Sequence, residues 1–252
     1  MHKNNVTSCA ELSCIETPLT ISTEPYVKLP GSHIFSNHSK DQEIAINQRR
    51  RQKQKFDFYL NSFDFLNDSQ IKGDYFEFGC HRARTFRMAL VSAAFYRLQN
   101  MRFHAFDSFQ GLPDIGKNII DQWKVGALAT SEEEFLRLVN DLNLYTDKIL
   151  IHRGYYNDSL NEAKQIGLGA IKAAFICVDC DYYESAVSVF NFVETFIQHG
   201  TVIYLDDAFA GFKEQANGGV LEAFKQFRMR SKFRYLEHMN IGWWGKSYIA
   251  SI

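Results

Sequence analysis

Five short apolar runs, each followed by a polar turn and a segment of helical period, set what this chain can fold into. They read YFEF from Tyr75, MRFHAF from Met101, KILIHRG from Lys148, AAFICVD from Ala173 and GTVIYLDD from Gly200. Runs this short and this apolar are strands covered on both faces, and helices between them make the pairing parallel. Helical patterns cover residues 83–98, 131–142, 158–166, 184–197 and 220–229. Phe86, Leu90, Ala94 and Leu98 share one face of the first. Ser131 with Glu134, and Ser159 with Glu162, have the spacing of capping boxes. Two last β-rich stretches, FRYLEH and GKSYIASI, are separated only by MNIGWW, so they pair antiparallel at one edge. The expected fold is an α/β three-layer sandwich: a mostly parallel seven-stranded sheet with a C-terminal antiparallel hairpin, Rossmann-like.

A chain of 252 residues suits one such domain with an extension. Residues 71–252 make the domain. Residues 1–40 are polar and without period, and are expected to form a flexible arm. Residues 41–70 form a helical extension, with Ile44, Phe56, Tyr59, Leu60, Phe63 and Leu66 at three- and four-residue steps. The Phe/Tyr-rich stretch from Phe56 to Phe65 needs a cover, either the functional site or a second copy in a homodimer. The run RRRQKQK, Arg49 to Lys55, reads as a solvated helix face. A net charge of −1 argues against nucleic acid as a partner. No apolar stretch approaches the roughly 20 residues that span a bilayer, and the N-terminus has no apolar signal core. The expectation is a cytoplasmic protein with no membrane partner, in which the sequon at Asn5 has no role. Cys177 and Cys180 form a C-x-x-C, but an odd separation along a strand sends them to opposite faces.

In open α/β sheets, ligands bind beyond the carboxyl ends of the strands. After the first strand comes Glu77-Phe78-Gly79-Cys80. One glycine stands where a dinucleotide turn has three, so the turn is poor for a pyrophosphate. An acidic residue beside that glycine suits a ligand with an ammonium group. Asp107 ends the second strand, where it can take ribose hydroxyls or close an Asx-turn. Gly154 and Tyr155 follow the third and can flank an adenine ring. The fourth is followed by Asp179 and Asp181, the fifth by Asp206 and Asp207. If those two strand ends lie side by side, four carboxylates converge and need protons or a cation to neutralise them, and oxygen-only ligands favour Mg²⁺ or Ca²⁺. Asp181-x-x-Glu184 is also a capping pattern for the next helix.

The blocks GDYFEFGCHRARTF, FHAFDSFQGLP, HRGYYNDSL, VDCDYYESA, GTVIYLDDAF and GWWGKSYI, in that order over residues 72–250, resemble the macrocin O-methyltransferase (TylF-like) family. The resemblance implies a class I methyltransferase fold with S-adenosyl-L-methionine as donor. It also implies Mg²⁺ and a small-molecule hydroxyl acceptor, a sugar or glycoside. Position by position it implies metal ligation by Asp179, Asp206 and Asp207 and a general base at Asp181. It puts cofactor contacts on Glu77, Gly79, Asp107 and Ser108, and Cys80, Thr85, Gly154, Tyr155 and Asp179 are expected to complete the cofactor site. One departure stands out: Ala83 occupies a position where the family usually has glycine.

The chemistry so implied is an in-line displacement at a sulfonium methyl, with the acceptor hydroxyl held by the protein and its proton removed by Asp181. Tyr182, Trp123 and Trp243 are candidate pocket walls, and His81, His104 and His152 are alternative bases. A methyltransferase of catechols or other diols, a non-catalytic binding protein of the same fold and a nicotinamide oxidoreductase are the competing readings.

Overall fold

The computed structural model describes residues 40–116, 123–165, 171–211 and 218–252. The arm expected over residues 1–40, with its sequon and with Cys9 and Cys14, lies outside them but for Lys40. In chain order the elements are helix α1 (Lys40–Asp68), β1 (Asp74–Phe78), α2 (Arg84–Phe95), β2 (Phe103–Asp107), α3 (Glu132–Asn140), β3 (Ile149–Arg153) and α4 (Tyr156–Gln165). Then come β4 (Ala173–Val178), α5 (Tyr183–Val193), β5 (Val202–Leu205), α6 (Gly219–Arg230), β6 (Arg234–Ile241) and β7 (Gly245–Ser251).

The strands form one seven-stranded sheet in the order β3-β2-β1-β4-β5-β7-β6. β1 to β5 pair in parallel, and β7 runs antiparallel to both β5 and β6. This is the mostly parallel sheet with a hairpin edge that the alternation of runs predicts. Strand side chains alternate between two core layers. Phe76, Phe78, Ile176, Val178, Ile203 and Leu205 pack with α4, α5 and α6 on one face. Tyr75, Cys177 and Tyr204 pack with α1, α2 and α3 on the other. Cys177 and Cys180 fall in different layers, and both are free thiols.

Helix α1 belongs to the second layer. Tyr59 and Phe63 are fully buried, and their rings lie 5.2 and 5.6 Å from that of Phe175. Burying such a ring stabilises by roughly 2–3 kcal/mol. The sheet therefore covers the Phe/Tyr-rich stretch that the sequence leaves without a partner. α1 stops because Gln70 adopts a left-handed φ of 55°, and Ile71 N–H donates back to Leu66 O at 2.9 Å. No helix among the described residues is long and apolar enough to cross a membrane.

Three local expectations are corrected. α2 is shorter than residues 83–98 at both ends. Arg82 and Ala83 have φ of 58° and 51°, so helical backbone begins only at Arg84. At the other end Arg97 turns left-handed, and Leu98 N–H caps Ala93 O at 2.9 Å. α4 starts at Tyr156, which puts Ser159 inside the helix, where its hydroxyl donates to Tyr155 O at 3.2 Å rather than capping. α3 is capped by Ser131, which accepts from Glu134 N–H at 3.2 Å. The Glu134 carboxylate pairs with Arg137 instead, so only half the expected capping box forms.

Candidate active site

The strand order reverses between β1 and β4, and a crevice opens where such a sheet changes direction. Gly79 follows β1 with φ +91°, and a Cβ there would lie 1.7 Å from the carbonyl oxygen of Asp179 after β4. No side chain fits, so glycine lets the two strand ends close on each other. A cavity of about 850 Å³ opens over this contact. Gly79, Asp107, Ser108, Gly154, Tyr155, Asp179, Asp181, Asp206 and Asp207 line it from five strand ends, and Thr85 from α2.

The two Asp107 readings meet in one residue. Its Oδ2 accepts the Cys80 N–H and its Oδ1 the Phe109 N–H, each at 2.6 Å, which ties the β1 turn to the β2 turn. Burial pushes its carboxyl up, and those two bonds oppose the shift. The Ser108 hydroxyl donates to Gly111 O at 2.9 Å and accepts from Gln110 N–H at 3.1 Å. The Gly154 N–H donates to Asp107 O at 3.0 Å. Glu77 and Cys80 do not line the cavity. Glu77 is fully buried, with Oε1 accepting the Thr85 hydroxyl at 2.8 Å and Oε2 the Tyr75 hydroxyl. Burial drives Glu77 up to about 8, against these hydrogen bonds and the nearby Lys55 charge. Its place is to hold Thr85 and the turn from within the core. Ala83 is also off the cavity: its methyl is fully buried in the layer shared by α1, α2 and α3.

At the other end, Asp179, Asp206 and Asp207 offer carboxylate oxygens within 4.8 Å of one another. Asp181 lies beyond the end of β4, not on it, with a left-handed φ of 60°. Asparagine and aspartate tolerate that conformation better than other residues do, and strained backbone clusters at functional sites. α5 takes Tyr182 as its N-cap, without a side-chain cap bond, so the capping pattern of Asp181 and Glu184 is not realised. Burial first, then the Asp179 and Asp206 charges, push Asp181 up to about 8. Burial, then the Asp206 and Asp207 charges, hold Asp179 well above the usual carboxylate range, and burial, then Asp181 and Asp206, do the same for Asp207.

Asp206 differs because it has a counter-ion. Lys55 Nζ lies 2.7 Å from its Oδ2, and the Tyr204 hydroxyl donates to its Oδ1. Burial alone would raise Asp206, but Lys55 and these bonds bring it below the usual range. Burial alone would lower Lys55, and Asp206, Asp179 and Asp207 reverse that. The solvated-face reading of the basic run is therefore half right. Arg49, Arg50 and Lys53 are exposed, while Arg51 and Lys55 turn inward. Gln48, Arg51, Gln52 and Lys55 line the cavity from one face of α1, continuous with Tyr59 and Phe63. That shared stepping is the sequence signal that could have found them. The Arg51 guanidinium lies 5.1 and 5.7 Å from the Trp244 and Trp243 rings in the β6–β7 turn.

Of the candidate walls, Trp123 and Trp243 line the cavity. Tyr182 packs edge-on against Trp123, with its hydroxyl donating to Trp123 O at 2.9 Å, and does not line it. His104 and His152 are also off the cavity, in a chain from His152 through His104 to Asp74 and Arg102. His81 lines it and bonds Thr130 Oγ1 at 2.9 Å.

The chain matches none of the curated proteins compared with it. Among solved structures it is similar to the O-methyltransferase NovP, at 19% identity and a TM-score of 0.65, over 79% of this chain and 80% of that one. It is also similar to CalS11, a calicheamicin methyltransferase, at 15% identity and a TM-score of 0.67, over 96% and 93%. A second CalS11 structure, described as a TDP-rhamnose 3'-O-methyltransferase, gives a TM-score of 0.58 at 15% identity, over 96% and 95%. These likenesses show the class I methyltransferase fold. The sequence profile described as Macrocin-O-methyltransferase (TylF) matches residues 48–247, from the inward face of α1 to the middle of β7, and the chain belongs to that family.

Proposed function

We propose that this O-methyltransferase transfers a methyl group from S-adenosyl-L-methionine to a hydroxyl of a sugar or glycoside, with Mg²⁺ at the acidic end of the cavity. The observation that carries the reading is the meeting of Asp179, Asp206 and Asp207, with Asp181 beside them, over the Gly79 turn. Only oxygen ligands are offered, as a hard divalent cation prefers. The carboxyls of Asp179 and Asp207 are raised by burial and by their neighbours' charge, and that charge is what a cation offsets. Asp179, Asp206 and Asp207 would hold it. A bound divalent cation supplies Lewis acidity that lowers the pKa of an acceptor hydroxyl.

The chain's own residues supply the rest. Gly79 lets the ends of β1 and β4 close on each other as the floor, and Asp107, Ser108, Gly154 and Tyr155, which line the cavity, are the residues we assign to the donor's adenosine. Bound S-adenosyl-L-methionine supplies an electrophilic methyl carbon. Asp181 accepts the proton of the acceptor hydroxyl as that oxygen takes the methyl. Asp181 has a left-handed backbone and does not cap α5, and the Asp179 and Asp206 charges act on its carboxyl, which supports this role.

The test is a panel of sugars and glycosides with S-adenosylhomocysteine release as readout. Asp181→Asn is expected to fold and to bind S-adenosyl-L-methionine, yet to lose turnover by about two to four orders of magnitude. Wild-type turnover in that variant would remove Asp181 as base. Excess EDTA is expected to abolish turnover and added Mg²⁺ to restore it; full activity in chelator would remove the metal.

A further inference from the structure

Asp107 stands where an acid takes ribose hydroxyls in such sheets, but its carboxylate is already engaged. Each of its oxygens accepts a backbone N–H at 2.6 Å, one from Cys80 and one from Phe109. An oxygen so used has one lone pair left, aimed by the turns it ties together. A ribose brings two hydroxyls, and each of them both donates and accepts. An ionised carboxylate offers acceptors only, so the lone pairs of the ribose oxygens need a donor from elsewhere.

Tyr156 is placed to be that donor. It opens α4, two residues past Gly154, whose N–H donates to Asp107 O at 3.0 Å. Its ring is half-buried and stands edge-on to Phe78, with centroids 6.1 Å apart. Its hydroxyl makes no hydrogen bond to the described residues. Nor is that hydroxyl among the unpaired polar atoms that are sealed from solvent, so it keeps open surface. Burial first, then nearby Cys180, Asp107, Cys80 and Asp179, push the phenol well above its ordinary value. It therefore stays an O–H, and those neighbours set it among the ends of β1, β2 and β4. Tyr156 lines the cavity, and a hydroxyl that is both deep and open faces it.

Resting on the function proposed above, we infer that Tyr156 binds the methyl donor, its hydroxyl giving a hydrogen bond to a ribose oxygen of S-adenosyl-L-methionine and sharing the ribose with Asp107. The division of labour follows from the chemistry of the two groups. Asp107 accepts from the ribose while it ties the β1 and β2 turns, and Tyr156 donates to it from the α4 side. Because Phe78 already holds the ring, little side-chain freedom is lost when the bond forms.

The experiment is calorimetric titration of the full chain with S-adenosylhomocysteine and with its 2′-deoxy and 3′-deoxy analogues. The wild type is expected to bind S-adenosylhomocysteine, and to bind at least one of the analogues about tenfold more weakly. Tyr156→Phe is expected to weaken S-adenosylhomocysteine by about five- to tenfold. The same substitution should change affinity for the weakened analogue little, because that ligand has already lost the partner oxygen. Tm without ligand should hold, since a phenylalanine keeps the packing on Phe78. A variant that binds S-adenosylhomocysteine as the wild type does would overturn the contact. Equal losses for all three ligands would overturn it too, since the hydroxyl would then meet another part of the donor. A wild type that binds none of the three sinks the methyltransferase reading itself, and this inference with it.

Discussion

Lys55 is the residue whose surroundings differ most from what its neighbours in sequence suggest. In a run of seven polar residues it reaches a buried carboxylate, 2.7 Å away, with Asp179 and Asp207 close enough to raise its pKa. Breaking a buried pair by removing one partner costs about 3–5 kcal/mol, because the other charge stays behind. Lys55→Met is therefore expected to melt several degrees lower in EDTA. The same variant leaves four carboxylates without a fixed cation, so Mg²⁺ should raise its Tm more than it raises that of the wild type. Equal rises measured by scanning fluorimetry would mean that the ammonium and the metal do not compete for Asp206. Its step from Tyr59 and Phe63 marks Lys55 as inward, but nothing in the sequence around it names Asp206 as its partner. Charge runs on helices are usually solvated, and the direction each residue faces is set by where α1 packs.

α1 as an element shows how far pattern reading goes. Its apolar positions at three- and four-residue steps are visible in the sequence, and so is its span to within two residues. What they pack against is not visible, because a helical stripe does not name its partner. The sheet supplies Phe175, Tyr75 and Tyr204 to Phe58, Tyr59 and Phe63. We propose that residues 41–70 fold with the domain rather than as a separable extension. Phe63→Ala is expected to lower the main unfolding transition by about 3–5 kcal/mol and to keep it single. A main transition left in place, with a separate early loss of helix by circular dichroism, would show that α1 detaches. The acid-bearing turns after β4 and β5 were legible for the opposite reason. Their carboxylates sit next to the strands that place them, so local sequence carries the geometry. Asp181 was legible as a candidate but not in its conformation, since positive φ outside glycine leaves little trace in sequence.

Across the whole molecule, the sheet carries a polar line over β1, β2 and β3, to one side of the acids after β4 and β5. Arg102 binds Asp74, Asp74 binds His104 at 3.1 Å, and His104 meets His152 at 3.1 Å. Burial, then the neighbouring His104, lower His152 to about 4, below its ordinary 6.5. The unfolded chain thus takes up this proton from about pH 6.5, while the folded chain refuses it until about pH 4. Stability from His152 is complete above pH 6.5 and is lost as pH falls through that window. Glu77, protonated up to about 8 when folded, acts in the opposite sense above pH 4.5, so the His152 part is read as a difference between two proteins. His152→Phe keeps the 4.2 Å stack on Phe106 in kind, and its Tm is expected to fall less between pH 6.5 and 4. Parallel curves would assign the acid loss elsewhere. The make-up of the sheet, five parallel strands and a closing antiparallel hairpin, is legible in the short apolar runs, the intervening helices and the one helix-free link, whereas the order β3-β2-β1-β4-β5-β7-β6 is not. Where β1 and β4 end side by side, Gly79 presses on the Asp179 backbone with no room for a methyl. The turn after β1 and the acids after β4 are therefore one rigid joint, and substitutions on α1 and the hairpin can reshape the far wall of the cavity without moving that turn and those acids apart.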